Sequence, residues 1–430
     1  MRLITYSALA FLFIMALLVA GCSDRGTNVP NTPKEDLVGD WGIHPLGNHA
    51  FAPPDSSSQY SPQLLFQVRN PDDIQEMTIY IPQVAMPAPT GESRPVPLLV
   101  LLPPQDADKY FYLDRGLFEV AEELLASGEI EPMVIACLGN DRNFGGYFFG
   151  NSHPAGFYDD IIATPDSMGL VAFLTNLIPA VIDSPDKRGI GGVGMGAYGA
   201  YRAILKHPGM FSSISVTDGP LDFNGADGNS GLMDLFDDAI AEQGLTPATF
   251  NQYDTSAFWP ISRLFIGGAL AFSPNDLDVT FNIIKRAGDT QREIVVLGRT
   301  QRVVADSSTF ITDIIKEDWG DWDFYLPFDG SGNPHSEIWP LWMDNDLEAL
   351  LTDAGAGALD GVDMWFGSTS DAKWGYYDMT QSWVTTLTNN GYTPTVWQYG
   401  GYEGHPATEH QYMYYVIRKM LIFHSENFGD

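Results

Sequence analysis

Cysteine, positive charge and long apolar runs are all scarce in this chain. Its 430 residues hold two cysteines, Cys22 and Cys137. Lysine and arginine together number 22 against 55 aspartates and glutamates, for a formal net charge of −33. Nucleic acid and anionic lipid are held by clustered cations that displace counterions, so this balance argues against both as electrostatic partners. No nucleic-acid partner is expected. The apolar run from Ala8 to Ala20 is shorter than the ~20 residues that cross a bilayer as a helix. No repeat period marks a solenoid or propeller. Metal-ligand spacing is missing too: Asp344-Asn345-Asp346 lacks the glycine and distal glutamate of a calcium loop. Asp318, Asp321 and Asp323 fall among tryptophans and read as an acidic turn. Neither a metal nor a cofactor is expected.

What is present begins with an address label. Arg2 precedes the Ala8–Ala20 run, which has the length of a signal-peptide core. It ends Leu18-Val19-Ala20-Gly21-Cys22, which resembles a bacterial lipobox. The resemblance implies that Cys22 is acylated and becomes the new N-terminus, so that acyl chains hold the protein in the cell envelope. An ordinary signal peptide with a chance cysteine is the alternative. With Cys22 lipidated, only Cys137 remains and no intramolecular disulfide can form. Cys137 closes the apolar run Met133–Cys137 and is expected to be a core thiol. Residues 1–21 read as signal peptide. Residues 22–62, rich in Pro, Asn, Ser, Asp and Gly, read as a tether and irregular lead-in.

From about residue 63 the pattern is that of one large α/β domain. Met77–Ile81 alternates as a strand does, and Pro97–Leu102 is apolar on both faces, as a central strand covered by helices should be. Gly116–Ala126 has a helical apolar stripe, and Met133–Cys137 is a second buried strand. Met168–Ile182 predicts a helix interrupted or kinked at Pro179. Ser213–Val216 is a further strand. Strands and helices alternating in this way predict a mostly parallel sheet with helices on both faces. Residues from about 221 to 350 break the rhythm, with helical patterns at Leu232–Gln243 and Trp259–Ala271 and a strand pattern at Ile294–Leu297. They predict a cap insertion. The sheet resumes with strands at Val362–Phe366 and Thr395–Tyr399 and helices at Trp374–Asn389 and Thr408–Phe423.

The chemistry gathers at Gly192-Val193-Gly194-Met195-Gly196. A buried strand, a tight glycine turn and a helix are the parts of a nucleophile elbow, G-x-S-x-G, which lifts a serine hydroxyl above the sheet. Gly194 stands where that serine would be. In such folds an acid and then a histidine follow downstream, each after a later strand. Asp371, in Gly367-Ser368-Thr369-Ser370-Asp371, and His405, in Gly404-His405-Pro406, suit an orienting carboxylate and a general base. Taken singly, each would read as a turn or cap residue. Ser152 and Ser215 do not lie on the turn, so neither is placed as a substitute nucleophile.

These residues carry a family resemblance. Glu131–Ile135, Asn151-Ser152, Leu177-Ile178-Pro179, the elbow through Ala200, His207–Phe211 and the settings of Asp371 and His405 resemble the putative esterase family of α/β-hydrolases. The resemblance implies an α/β-hydrolase fold and a serine carboxylic-ester hydrolase. It also implies that Met195 supplies an oxyanion amide. Two departures count against turnover. The nucleophile is Gly194, and the family's His-Gly oxyanion loop is Pro103-Pro104, whose prolines have no N–H to donate. The expectation is a pseudo-esterase that keeps a pocket for a small-molecule ester, acylated ligand or glycan. The cap tryptophans Trp319, Trp322, Trp339 and Trp342 would suit stacking, though most are expected to pack in the core. An active hydrolase using a different nucleophile or a His405-activated water remains open, as does a structural envelope lipoprotein.

Overall fold

The computed structural model describes residues 42–45, 64–70, 75–85, 93–140, 146, 148–152, 156–157, 162, 169–225, 231–246, 260–273, 282–284, 291–296, 299–304, 326–329, 331–370, 372–399 and 410–429. Three short antiparallel strands enter first: β1 (Gly42–Pro45), β2 (Leu64–Asn70) and β3 (Gln75–Ile81). The apolar stretch after Pro97 is β4 (Leu98–Leu102), parallel to β5 (Val134–Leu138). A two-residue hairpin follows, β6 (Asn151–Ser152) with β7 (Gly156–Phe157). The parallel set continues with β8 (Arg188–Val193) and β9 (Ser213–Thr217). Between β9 and the last two strands of the main sheet, β10 (Asn282–Ile284), β11 (Gln291–Val296) and β12 (Arg299–Val304) form a separate antiparallel sheet. β13 (Asp363–Ser368) and β14 (Thr395–Gln398) complete the main sheet in parallel. Its nine strands run in the order β1-β2-β3-β5-β4-β8-β9-β13-β14. Every pair from β5 to β14 is parallel. This is the α/β-hydrolase sheet. β1 lies in the stretch expected to be irregular; four residues are too few to show a period.

Two cores lie on the two faces. Leu98, Val100 and Leu102 of β4 enter one, and Leu99 and Leu101 the other; β5 divides its side chains in the same way. With both faces dry, neither strand has a polar side, which is why both run apolar without alternation. One face carries α1 (Leu117–Ser127). The other carries α2 (Leu170–Leu177) and α3 (Met195–Lys206). Of the two outcomes expected at Pro179 the structure shows interruption: α2 stops before it, because Ile178, as the residue before a proline, takes extended dihedrals (φ −118°, ψ 90°). In the insertion, α4 (Leu235–Gln243) packs on α5 (Pro260–Phe272), and α6 (Trp339–Met343) and α7 (Leu347–Ala354) follow. Trp342 is fully buried, with its Nε1–H donated to Ser273 Oγ at 2.9 Å. It packs against Phe265 and Phe272, so this cap tryptophan belongs to the core. Trp319 and Trp322 lie outside the described residues.

The last two helices are α8 (Tyr376–Asn389) and α9 (His410–Asn427). α8 begins two residues later than its pattern predicts, because Trp374 (φ 61°) and Gly375 (φ 66°) are left-handed. α9 packs against α1 and against the face of β9 and β13. His424 of α9 is fully buried, with Nδ1 2.8 Å from Ser213 Oγ and Nε2 2.7 Å from Ser215 Oγ. Bare backbone makes room for it: a Cβ on Gly189 would fall 2.5 Å from His424 Nδ1. Ser215 is thus committed to the α9 side of the sheet, away from the elbow turn. Cys137 is a buried core thiol whose pKa burial pushes well up. Among the described residues no helix is long and apolar enough to cross a membrane.

Candidate active site

The strand-turn-helix at β8 and α3 is an elbow in its backbone as well as in its sequence. Gly194 has φ 58° and ψ −124°, a conformation that non-glycine residues adopt only under strain. Its N–H donates to the carbonyls of Thr217 (3.0 Å) and Asp218 (2.8 Å), and its own carbonyl accepts from Ala197 N–H at 3.0 Å. The flanking glycines are demanded by close approach. A Cβ on Gly192 would stand 2.0 Å from the Gly196 carbonyl oxygen, and one on Gly196 2.1 Å from that of Leu102. Helix, strand and loop are pressed together at a distance only backbone allows.

Pro104 sits over this turn. A Cβ placed on Gly194 would meet Pro104 Cβ at 3.0 Å and Pro104 Cα at 3.5 Å. The Pro104 carbonyl accepts from Ala107 N–H and from Asn140 Nδ2, both at 3.3 Å, so the loop is tied on two sides. Met195 is buried, and its sulfur lies 3.4 Å from Asn140 Nδ2 and 3.3 Å from Phe148 N. As the first residue of α3, Met195 has no carbonyl one turn earlier in the helix to take its N–H. That amide is available to a ligand oxygen or to water.

The sequence did not single out Asp218, at the end of β9. It is 6 % exposed and has φ 33°, strained for a residue with a Cβ. Its Oδ1 accepts from Thr369 N–H at 3.3 Å and its Oδ2 from the Tyr399 hydroxyl at 3.1 Å. Burial raises its pKa from the ordinary carboxylate range to about 7. A carboxyl at the carboxyl end of the strand beside the elbow strand lies where open α/β sheets place ligands. That rule, applied to Asp218-Gly219-Pro220, is the signal that would have found it.

A cavity of about 630 Å³ opens over these groups. Gly194, Met195, Pro104 and Asp218 line it, with Phe111, Trp374 and Tyr376 as aromatic wall. Asp371 and His405 lie outside the described residues, as does Cys22. Ser152 is placed by its backbone in the β6–β7 hairpin, off the elbow. The structure therefore brings together Gly194, the Met195 amide and the Pro103-Pro104 loop. The aromatic residues at the cavity are Trp374, Tyr376 and Phe111; the described cap tryptophans Trp339 and Trp342 do not line it.

Residues 75–276 match the model of a family described as putative esterase. A ferulic acid esterase structure is similar at 14 % identity and a TM-score of 0.46, over 83 % of this chain and 93 % of that one. The substrate-bound fluorophosphonate-binding serine hydrolase F of Staphylococcus aureus is 12 % identical with a TM-score of 0.48, over 86 % and 99 % of the two chains. An S-formylglutathione hydrolase from Agrobacterium tumefaciens is 14 % identical with a TM-score of 0.46, over 86 % and 98 %. No curated protein sequence matches the chain significantly. The matched segment runs from β3 through the elbow and Asp218 to the end of α5. Over this segment, the α/β-hydrolase-fold chain matches the putative esterase family.

Proposed function

We propose that the chain is an esterase-like envelope lipoprotein that has lost serine hydrolysis and holds a small molecule in the cavity over its elbow. The observation that carries this reading is the pairing of Gly194 with Pro104. Loss of a serine nucleophile costs about a millionfold in turnover. Loss of one oxyanion donor costs roughly 10²–10³ more. At this elbow the space for the missing side chain is itself bounded by the Pro104 ring. Such a site is suited to binding an ester, an acylated ligand or a glycan without cleaving it. The lipobox supports anchoring through Cys22.

The test is an assay of the native protein with short-chain p-nitrophenyl esters and a fluorophosphonate probe. The expected result is hydrolysis at the background rate and no labelling. Turnover well above background that disappears in His405→Ala would overturn the reading in favour of an active hydrolase. Metabolic labelling with palmitate, lost in Cys22→Ser, checks the anchor.

A further inference from the structure

The cavity over the elbow has a chemical character of its own. Four carboxylates line it among the described residues: Asp106, Asp108, Asp114 and Asp218. Two cations, Arg115 and Lys373, line it as well. Arg115 is already engaged. Its guanidinium carbon lies 3.8 Å from the Phe111 ring centroid, its Nη1 donates to the Phe111 carbonyl at 3.0 Å, and Asp108 and Asp114 are its charged neighbours. Lys373 is exposed at the rim, where its flexible stem keeps the ammonium in water. Asp106 pairs with Arg263. Asp218 differs from the other three: it is the buried one, and no lysine or arginine among the described residues pairs with it. Its carboxyl oxygens accept from the Thr369 amide at 3.3 Å and the Tyr399 phenol at 3.1 Å, with the Ser368 hydroxyl as a further polar neighbour.

The aromatic wall gives the second, independent observation. Trp374 and Tyr376 stand edge to face, with ring centroids 5.6 Å apart and planes at 85°. Two rings at right angles form two sides of a box, and an aromatic face attracts a cation placed over it. Trp374 is held there on a left-handed backbone, φ 61°, a cost that a merely space-filling residue need not bear. The molecule's charge of −33 adds a field that draws cations to any cleft and repels anions.

We propose that this cavity takes a small organic ammonium ion, its charge held at Asp218 and its carbon skeleton against the Trp374 and Tyr376 rings. The proposal rests on the reading of the cavity as a ligand site, and it names the class of ligand. A carboxylate ligand is excluded by the same field, and a neutral one forgoes the Asp218 contact.

Calorimetric titration of the native protein at about pH 8, where Asp218 is mostly ionised and a benzylic amine is still protonated, with benzylammonium, benzyl alcohol and benzoate tests it, since the three share a ring and differ in charge. Benzylammonium is expected to saturate one site at least about tenfold more tightly than the alcohol, with benzoate weakest. Asp218→Asn keeps both hydrogen-bond partners and removes the charge; it should weaken benzylammonium by about tenfold or more and leave alcohol binding unchanged. Trp374→Gly suits the left-handed backbone and should weaken the ammonium likewise, which keeps the test open if Asp218→Asn does not fold. Equal affinity for ammonium and alcohol, no saturable ammonium binding, or native affinity in Trp374→Gly would each overturn the proposal. Ester hydrolysis plays no part in these readouts, so failure here and failure of the pseudo-esterase reading are separate outcomes.

Discussion

At Gly194 the absence of a hydroxyl and the presence of Pro104 are one steric fact. The backbone keeps the elbow's dihedrals, so a serine could be written in without moving the turn. Its Cβ, however, would lie 3.0 Å from Pro104 Cβ, closer than carbon atoms pack without strain. Pro104 yields little, because its carbonyl is bonded to both Ala107 and Asn140. Gly194→Ser alone is therefore expected to remain unlabelled by a fluorophosphonate probe. Gly194→Ser with Pro104→Gly removes the opposing Cβ and restores a backbone N–H, and it should become labelled. Labelling of the single variant to the same extent would show that the loop yields freely. The sequence disclosed both departures. It could not disclose that they touch, since ninety residues separate them and only the β4–β8 pairing brings them together. Asp218 escaped notice for a related reason. An aspartate before a Gly-Pro turn reads as ordinary turn chemistry until burial and strain distinguish it.

Among the elements, α9 makes the most specific contact. The pattern gave a closing helix, but nothing in it marked His424 as a bridge to Ser213 and Ser215 of β9. A histidine on a helix otherwise reads as a surface group, and the room for it comes from Gly189 on β8. Full burial lowers the His424 pKa from 6.5 to about 3. Below 6.5 the unfolded chain takes up a proton that the folded chain refuses, so this residue's share of stability is lost as pH falls from about 6.5 towards 3. Near pH 5 the loss amounts to about 2 kcal/mol. Buried carboxyls act in the opposite sense. Asp218 at about 7 and Asp346 at about 6 keep their protons when folded, and so favour the folded state as pH falls. The comparison must therefore be between chains. His424→Gln, which keeps a donor and an acceptor, should lose less stability than the native protein between about pH 7 and pH 5 in urea unfolding, whatever the native profile. Parallel profiles would mean that His424 is protonated when folded. Element boundaries were legible where periodicity was long, as in α1, α3 and α5. They failed at Ile178 and Trp374, where a following proline or a left-handed residue overrides the pattern.

Over the whole molecule, the fold follows from a few strongly written segments, while the surface follows from charge alone. β4, β5 and β8 could be placed because a strand dry on both faces must be apolar throughout. The edge strand β1 could not, because four residues carry too little pattern. Charge, by contrast, was fully legible, and it has a consequence for stability. With 55 acidic and 22 basic side chains, most carboxylates have no cation to pair with. One arginine can serve two carboxylates, as Arg418 serves both Glu123 and Glu129. Exposed pairs of this kind contribute about 0–1 kcal/mol each, whereas like-charge repulsion acts across the whole compact surface and relaxes when the chain unfolds. Salt shortens its range, from about 10 Å at 0.1 M to about 3 Å at 1 M. The thermal midpoint is therefore expected to rise steadily between these sodium chloride concentrations, and by nearly the same amount in potassium chloride, as screening requires. Chloride salts separate this effect from the general strengthening of burial by sulfate. A midpoint that fell with salt would mean that the arginine pairs outweigh the repulsion, and the acidic surface would then be arranged charge by charge.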